Sequence, residues 1–224
     1  MFDAQLRLCS LEWRLAYRQG WQWCYGPGVY ALLSIVAHWV VQGVAPSLWP
    51  QVGWVIVWIL ACLSVILSVQ TFFAPDEEYA MSLLWCVRGA PRTFRLWLKY
   101  TIGCCYLILP LSFMSYLLSG LLAMPMLSSM TFLSALALAV SLILGLGLSV
   151  ANLSSALGGQ SNLLIMITLP LYVPVIFWGG GAIWHTQLGL SAQYEWYVLS
   201  GCQLIGWILF PWLMSMTVKI GVDP

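Results

Sequence analysis

Charged residues along this chain are bunched, and the stretches between the bunches are apolar over long distances. Gln19 to Pro75, Tyr100 to Tyr194 and Trp196 to Val218 contain no Asp, Glu, Lys or Arg. A helix crossing ~30 Å of hydrocarbon needs about 20 apolar residues, at ~1.5 Å of rise each. By length, the first stretch holds two such helices, the second three and the third one. The internal breakers agree. Pro46 and Pro50 mark a turn between spans near 27–45 and 52–73. Gly120 and Pro125 separate spans near 98–121 and 128–152, and Gly158-Gly-Gln-Ser-Asn162 precedes one near 163–183. A sixth covers about 196–218.

Charge then fixes an orientation. With six spans, Arg7, Arg14, Arg18, Arg88, Arg92, Arg95, Lys99 and Lys219 all fall on one side. Positive segments resist translocation, so that side is cytoplasmic and both termini are expected there. The opposite loops carry Glu195 as their only charge. Trp39, Trp49, Trp54, Trp184 and Trp196 are expected at the outer interface, and Trp21, Trp23 and Trp97 at the inner one. Met1–Arg18 is too charged to hold a signal-peptide core.

Composition removes the soluble alternatives. The chain has 224 residues, 62% hydrophobic and only 7% charged, and its mean hydropathy is +0.90. A soluble domain carries about 25% charged residues, so a soluble enzyme and a disordered chain are both excluded. A net charge of +1 makes no field for nucleic-acid phosphates. The expected class is an all-α integral membrane protein, one transmembrane domain over 1–224, in contact with lipid and not with nucleic acid.

Candidate chemistry is sparse. The seven cysteines, at 9, 24, 62, 86, 104, 105 and 202, form no C-x-x-C pair and read as small apolar filler. His38 and His185 are the two histidines, both towards the outer side. An ionisable group near a span is a candidate for haem ligation or proton carriage; the plainer reading is a neutral imidazole hydrogen-bonded at the interface. No haem motif or second histidine at helical spacing accompanies either, so neither is expected to be an obligatory haem ligand. No metal site, cofactor or catalytic residue is expected. H-E-x-x-H, G-x-S-x-G and G-x-x-x-x-G-K-[ST] do not occur. If the chain transports, its energy comes from a partner.

Four further segments carry patterns. Over 2–18, Phe2, Leu6, Cys9, Trp13 and Tyr17 share one helical face and most charges lie elsewhere, which predicts an amphipathic helix in the membrane interface. After Pro75, Asp76, Glu77 and Glu78 suit a helical first turn. Tyr79, Leu83 and Val87 line one face, and Arg88 with Gly89 ends it. This predicts a short cytoplasmic helix over 76–88. Ala137, Ser141, Gly145 and Ser149 form a small-residue stripe that admits a close neighbour. Pro170 and Pro174 free two carbonyls and predict a bend in the fifth span, with Gly179-Gly-Gly181 making 175–195 irregular.

Two stretches resemble a known family. Leu11-Glu-Trp-Arg-Leu-Ala-Tyr-Arg18 resembles the L-E-x-R-x-A-x-R opening of the cytochrome c maturation protein B (CcmB) family. Thr168-Leu-Pro-Leu-Tyr-Val-Pro-Val-Ile-Phe177 resembles its fifth-span L-P-L-x-x-P-x-x-I-F. The resemblance implies the membrane subunit of an ABC-type haem exporter of the type-2 class, in the bacterial inner membrane. It further implies a second copy of the chain, two CcmA-type ATPase subunits, CcmC, CcmD and the haem-loaded chaperone CcmE as partners. Under it, 76–88 is the coupling helix set into the ATPase and 2–18 an elbow helix. The family's coupling pattern D-G-x-L-E-x-L is replaced here by Asp76-Glu-Glu-Tyr-Ala-Met-Ser-Leu-Leu84. Alternatives are another type-2 permease, for lipid, polysaccharide or drug, and a non-transport assembly scaffold.

The orientation is checked by reporter fusions. Those after Gln51, Pro125 and Gln187 are expected to report outside, and those after Ala90 and Ser161 inside. An external signal after Ser161 would overturn the division of the second apolar stretch.

Overall fold

The structure, a computed structural model, describes residues 25–78, 92–156 and 161–220, and six long α-helices occupy them. They are α1 (Tyr25–Val44), α2 (Trp49–Glu78), α3 (Arg92–Leu121), α4 (Met130–Ala156), α5 (Ser161–Gln187) and α6 (Gln193–Ile220). Short 3₁₀ turns at Pro46–Leu48 and Pro125–Ser128 precede α2 and α4, each opened by a proline whose missing N–H costs nothing there. Four stretches are long and apolar enough to cross a membrane: Tyr25–Val44, Pro46–Val69, Trp97–Leu121 and Met130–Val150, with mean hydropathy from 1.4 to 2.6.

α4 is the axis of the bundle, packing against α2, α3, α5 and α6. Phe132, Leu136, Val140, Ile143, Leu144 and Leu148 recur along it at helical spacing and are buried. Of α4's apolar window 61% is buried, against 17% for α1, so α1 is a peripheral helix packed on α2 and α3.

The helices meet where a large side chain lies over a glycine. A Cβ at Gly145 of α4 would overlap the Phe210 ring of α6, and one at Gly147 would overlap Val69 of α2. Gly179 of α5 is covered by the Trp58 indole of α2 in the same way. Trp58 also donates its indole N–H to the Ile176 carbonyl at 2.9 Å, so one residue both fills and ties the α2–α5 seam.

Two sequence expectations change. α5 runs unbroken through Pro170, Pro174 and Gly179–Gly181 to Gln187, so 175–187 is helix. Each glycine costs about 1 kcal/mol of helix propensity relative to Ala. At Gly179 that cost is offset by a contact only a bare Cα permits, the Trp58 indole lying where a Cβ would be. The second helix, expected to stop near 73, continues through Pro75 to Glu78. Inside a helix, Pro75 forfeits the bond to the Thr71 carbonyl. Asp76, Glu77 and Glu78 are continuous with α2 and are the last residues described before 92. Tyr79, Leu83, Val87 and Arg88, and the helix expected over 2–18, lie outside the described residues.

The α4–α6 seam gives a direct test. Gly145→Val is expected to cost about 1–3 kcal/mol by overpacking against Phe210, read as a lowered thermal midpoint in detergent. Adding Phe210→Ala should recover part of the loss. Additive losses in the double variant would show that the two residues do not meet.

Candidate functional site at the aromatic end

The three described connections, Ala45–Leu48, Leu122–Ser129 and Leu188–Ala192, all lie at one end of the bundle, tied to each other. The Trp49 indole N–H donates to the Leu122 carbonyl at 3.2 Å, bridging the first connection to the second. The Gln187 amide contacts the Met126 sulfur, bridging the third to the second. This end is rich in aromatic rings. The His38 ring stands edge-on to Trp49 at 4.6 Å, and Trp54 of α2 stacks on Trp184 of α5 at 5.3 Å and 15°. Gly53 makes room for Trp49 and Met124.

The α5–α6 hairpin carries the one ion pair described at this end. His185 Nδ1 lies 2.6 Å from Glu195 Oε1. Local structure explains why the two meet. α5 closes with Gly189 in the left-handed region at φ +68, with Gly189 N–H donating to Thr186 and Leu190 N–H to His185. This closure satisfies the last carbonyls and turns the chain sharply. α6 then starts at Gln193, so its first-turn Glu195 returns to the level of the last-turn His185. Glu195 sits at the helix end that favours its charge, a carboxylate in the first turn of α6. Glu195 is only 6% exposed, and its second oxygen, Oε2, has no hydrogen-bond partner. His185 is 39% exposed.

His38 is a different kind of histidine. It continues the buried row Gly26, Tyr30 and Ser34 on α1, residues four apart and hence on one face. Tyr30 and Ser115 hydroxyls pair at 3.0 Å, whereas Ser34 Oγ and His38 Nδ1 are buried without partners. His38 and His185 are thus not brought together by any described contact. Among the described residues, no group of three or more His, Cys, Asp or Glu is placed to hold a metal ion.

The small-residue stripe of α4 faces α6. The Ser141 hydroxyl lies 2.9 Å from Gln203 Oε1, and Gly145 lies under Phe210. Ser149 donates to its own helix at the Gly145 carbonyl, and Ala137 is half-buried. Pro170 and Pro174 are exposed on α5. Sequence reasoning noted Glu195 only as a lone charge. The signal that finds its partner is a carboxylate in a first turn, ten positions after a histidine in a last turn, across a glycine.

A family model described as CcmB protein matches residues 3–221. Heme exporter protein B of Pseudomonas aeruginosa is 26% identical over 215 residues, covering 96% of both chains. Heme exporter protein B of Rhodobacter capsulatus is 27% identical over 217 residues, covering 96% of this chain and 98% of its own. No solved structure matches.

Indole hydrogen bonds at this end separate by mutation. Trp49→Phe is expected to cost about 0.5–1.5 kcal/mol beyond lost ring area, the net worth of its bond to Leu122. Trp54 Nε1 is buried without a partner, so Trp54→Phe removes an unmatched donor and should cost less. Thermal midpoints of the two variants check this; a larger loss for Trp54→Phe would reverse the assignment.

Proposed function

This chain belongs to the CcmB protein family, and from that premise we propose that it is the membrane subunit of a haem exporter of the cytochrome c maturation system. The observation that carries this reading is the match over residues 3–221, with relatives named heme exporter protein B aligned over 96% of the chain. Members of this family are transporter membrane subunits working with a CcmA-type ATPase, and are not themselves the catalytic subunit.

The finer reading follows the chain's own chemistry. All six long helices cross the bilayer, with the aromatic end outside and both termini in the cytoplasm of a bacterial cell. Three described connections at one end, with Arg92, Arg95, Lys99 and Lys219 on the helices towards the other, support it. Indoles at the outer interface sit half in the headgroups, as Trp39, 76% exposed, is free to do. A second copy of the chain, CcmC, CcmD and haem-loaded CcmE complete the assembly, with release of CcmE as the step driven by ATP hydrolysis. The α4 stripe serves packing within one copy, since Phe210 and Gln203 already occupy Gly145 and Ser141.

Without a nucleotide site, the chain must receive force through a cytoplasmic element. The segment between α2 and α3 is the one we assign, with Asp76, Glu77 and Glu78 at its start and Tyr79, Leu83, Val87 and Arg88 within it. Reversing Glu77 and Glu78 to Lys tests their negative charge as a contact with the ATPase.

Co-purification with the CcmA-type ATPase tests the function and the segment together. Tyr79→Ala with Leu83→Ala removes two apolar anchors, each worth over ~2 kcal/mol if buried in an interface. This pair should weaken ATPase recovery more than Glu77→Lys with Glu78→Lys, and leave membrane insertion unchanged. No ATPase recovered with wild type would defeat the exporter reading. Wild-type recovery in both variants would defeat only the coupling role of this segment.

A further inference from the structure

We propose that His185, oriented by Glu195, is an axial ligand for a metalloporphyrin at the aromatic end of the bundle. This inference rests on the haem-exporter reading for the identity of its cargo, but its geometry belongs to this chain. The sequence offers His185 as a candidate haem ligand and predicts that it is not an obligatory one; its pairing with Glu195 changes that reading.

The pair sets the histidine's tautomer. With Nδ1 donating its proton to Glu195 Oε1 at 2.6 Å, the remaining ring nitrogen, Nε2, carries the lone pair that binds a metal. A carboxylate behind an imidazole also fixes the ring plane and raises its basicity, the arrangement found behind metal-bound histidines. Glu195 is buried while His185 keeps 39% of its side chain exposed. The carboxylate is therefore the hidden positioning residue and the imidazole the accessible group. A purely structural ion pair would need neither that asymmetry nor a buried carboxylate with one oxygen unmatched.

The ligand class follows from what surrounds the histidine. A bare transition-metal ion wants three or more protein ligands, and no such group exists among the described residues. A metalloporphyrin arrives with four nitrogens already on its metal and needs only an axial one. The same helix face provides an apolar platform. Trp178 lies seven residues before His185, two turns away and roughly 10 Å along the axis at ~1.5 Å per residue. Its ring meets Phe177 and Tyr194, each at 5.3 Å, and both of those are mostly exposed. These rings meet edge-on, at 85° and 67°, so one of them, beside the oriented imidazole, can lie against the face of a macrocycle while the others border its rim, and the macrocycle's carboxylates would remain in water.

The test uses the full chain in lipid nanodiscs, titrated with ferric haem and followed by absorption. Wild type is expected to give a saturable Soret shift with an imidazole-ligated spectrum. His185→Gly should weaken binding at least about ten-fold, within the range lost when metal-ligand environments are disrupted, and lose that spectrum. Added imidazole should restore the spectrum to His185→Gly, which shows that the variant is folded. Glu195→Gln should still bind but shift the reduction potential of the iron, while His38→Ala should match wild type. The proposal is overturned if His185→Gly gives the wild-type spectrum, or if Zn²⁺ binds through His185 and haem does not. Wild type that recruits the ATPase yet shows no His185-dependent spectrum would sink this inference and leave the exporter reading standing.

Discussion

In hydrocarbon, a leucine gains nothing by leaving lipid for a neighbouring helix, so shape and hydrogen bonding must decide which helices touch. In this bundle the deciding contact is an aromatic ring over a glycine. Trp58 on Gly179 joins α2 to α5, and Phe210 on Gly145 joins α6 to α4. Such contacts bring two backbones close, and at Gly145 they also fix register, because displacement by one residue sets the Phe210 ring against a leucine Cβ. The Trp58 bond to Ile176 adds a directional tie at the same place.

The aromatic end inherits its geometry from those seams. Once Trp58 fixes α2 against α5, Trp54 one turn away falls on Trp184, and Trp184 carries His185 beside it. The α5–α6 turn then needs only Gly189 to bring Glu195 back to that histidine. Ala123 adopts the same left-handed geometry after α3, at φ 53, where a glycine would be at ease. The Met124 N–H still reaches the Ser119 carbonyl at 2.8 Å, so strain of roughly 1 kcal/mol is tolerated to close that helix.

Much of the helix layout was legible because uncharged length is a strong signal in membrane chains. The turns at Pro46–Leu48 and Pro125–Ser128 fall where proline announces them. Gly179–Gly181, expected to make 175–195 irregular, lie inside one helix with Pro170 and Pro174, and Trp58 uses the bare backbone at Gly179. The second helix also runs past Pro75 to Glu78, the last residue described before 92. Of the candidate site, both histidines were visible as residues, but their difference was not. It depends on Glu195 reaching His185 across a turn, and on Trp49 covering His38 from another helix. Neither partnership leaves a periodic trace.

The stacked indoles of Trp54 and Trp184 have an optical consequence. Two such chromophores at 5.3 Å and 15° couple their transitions, and the sign and size of the resulting circular-dichroism signal depend on how α2 lies against α5. With no probe attached, the protein therefore carries a spectroscopic ruler across the seam that holds His185 in place.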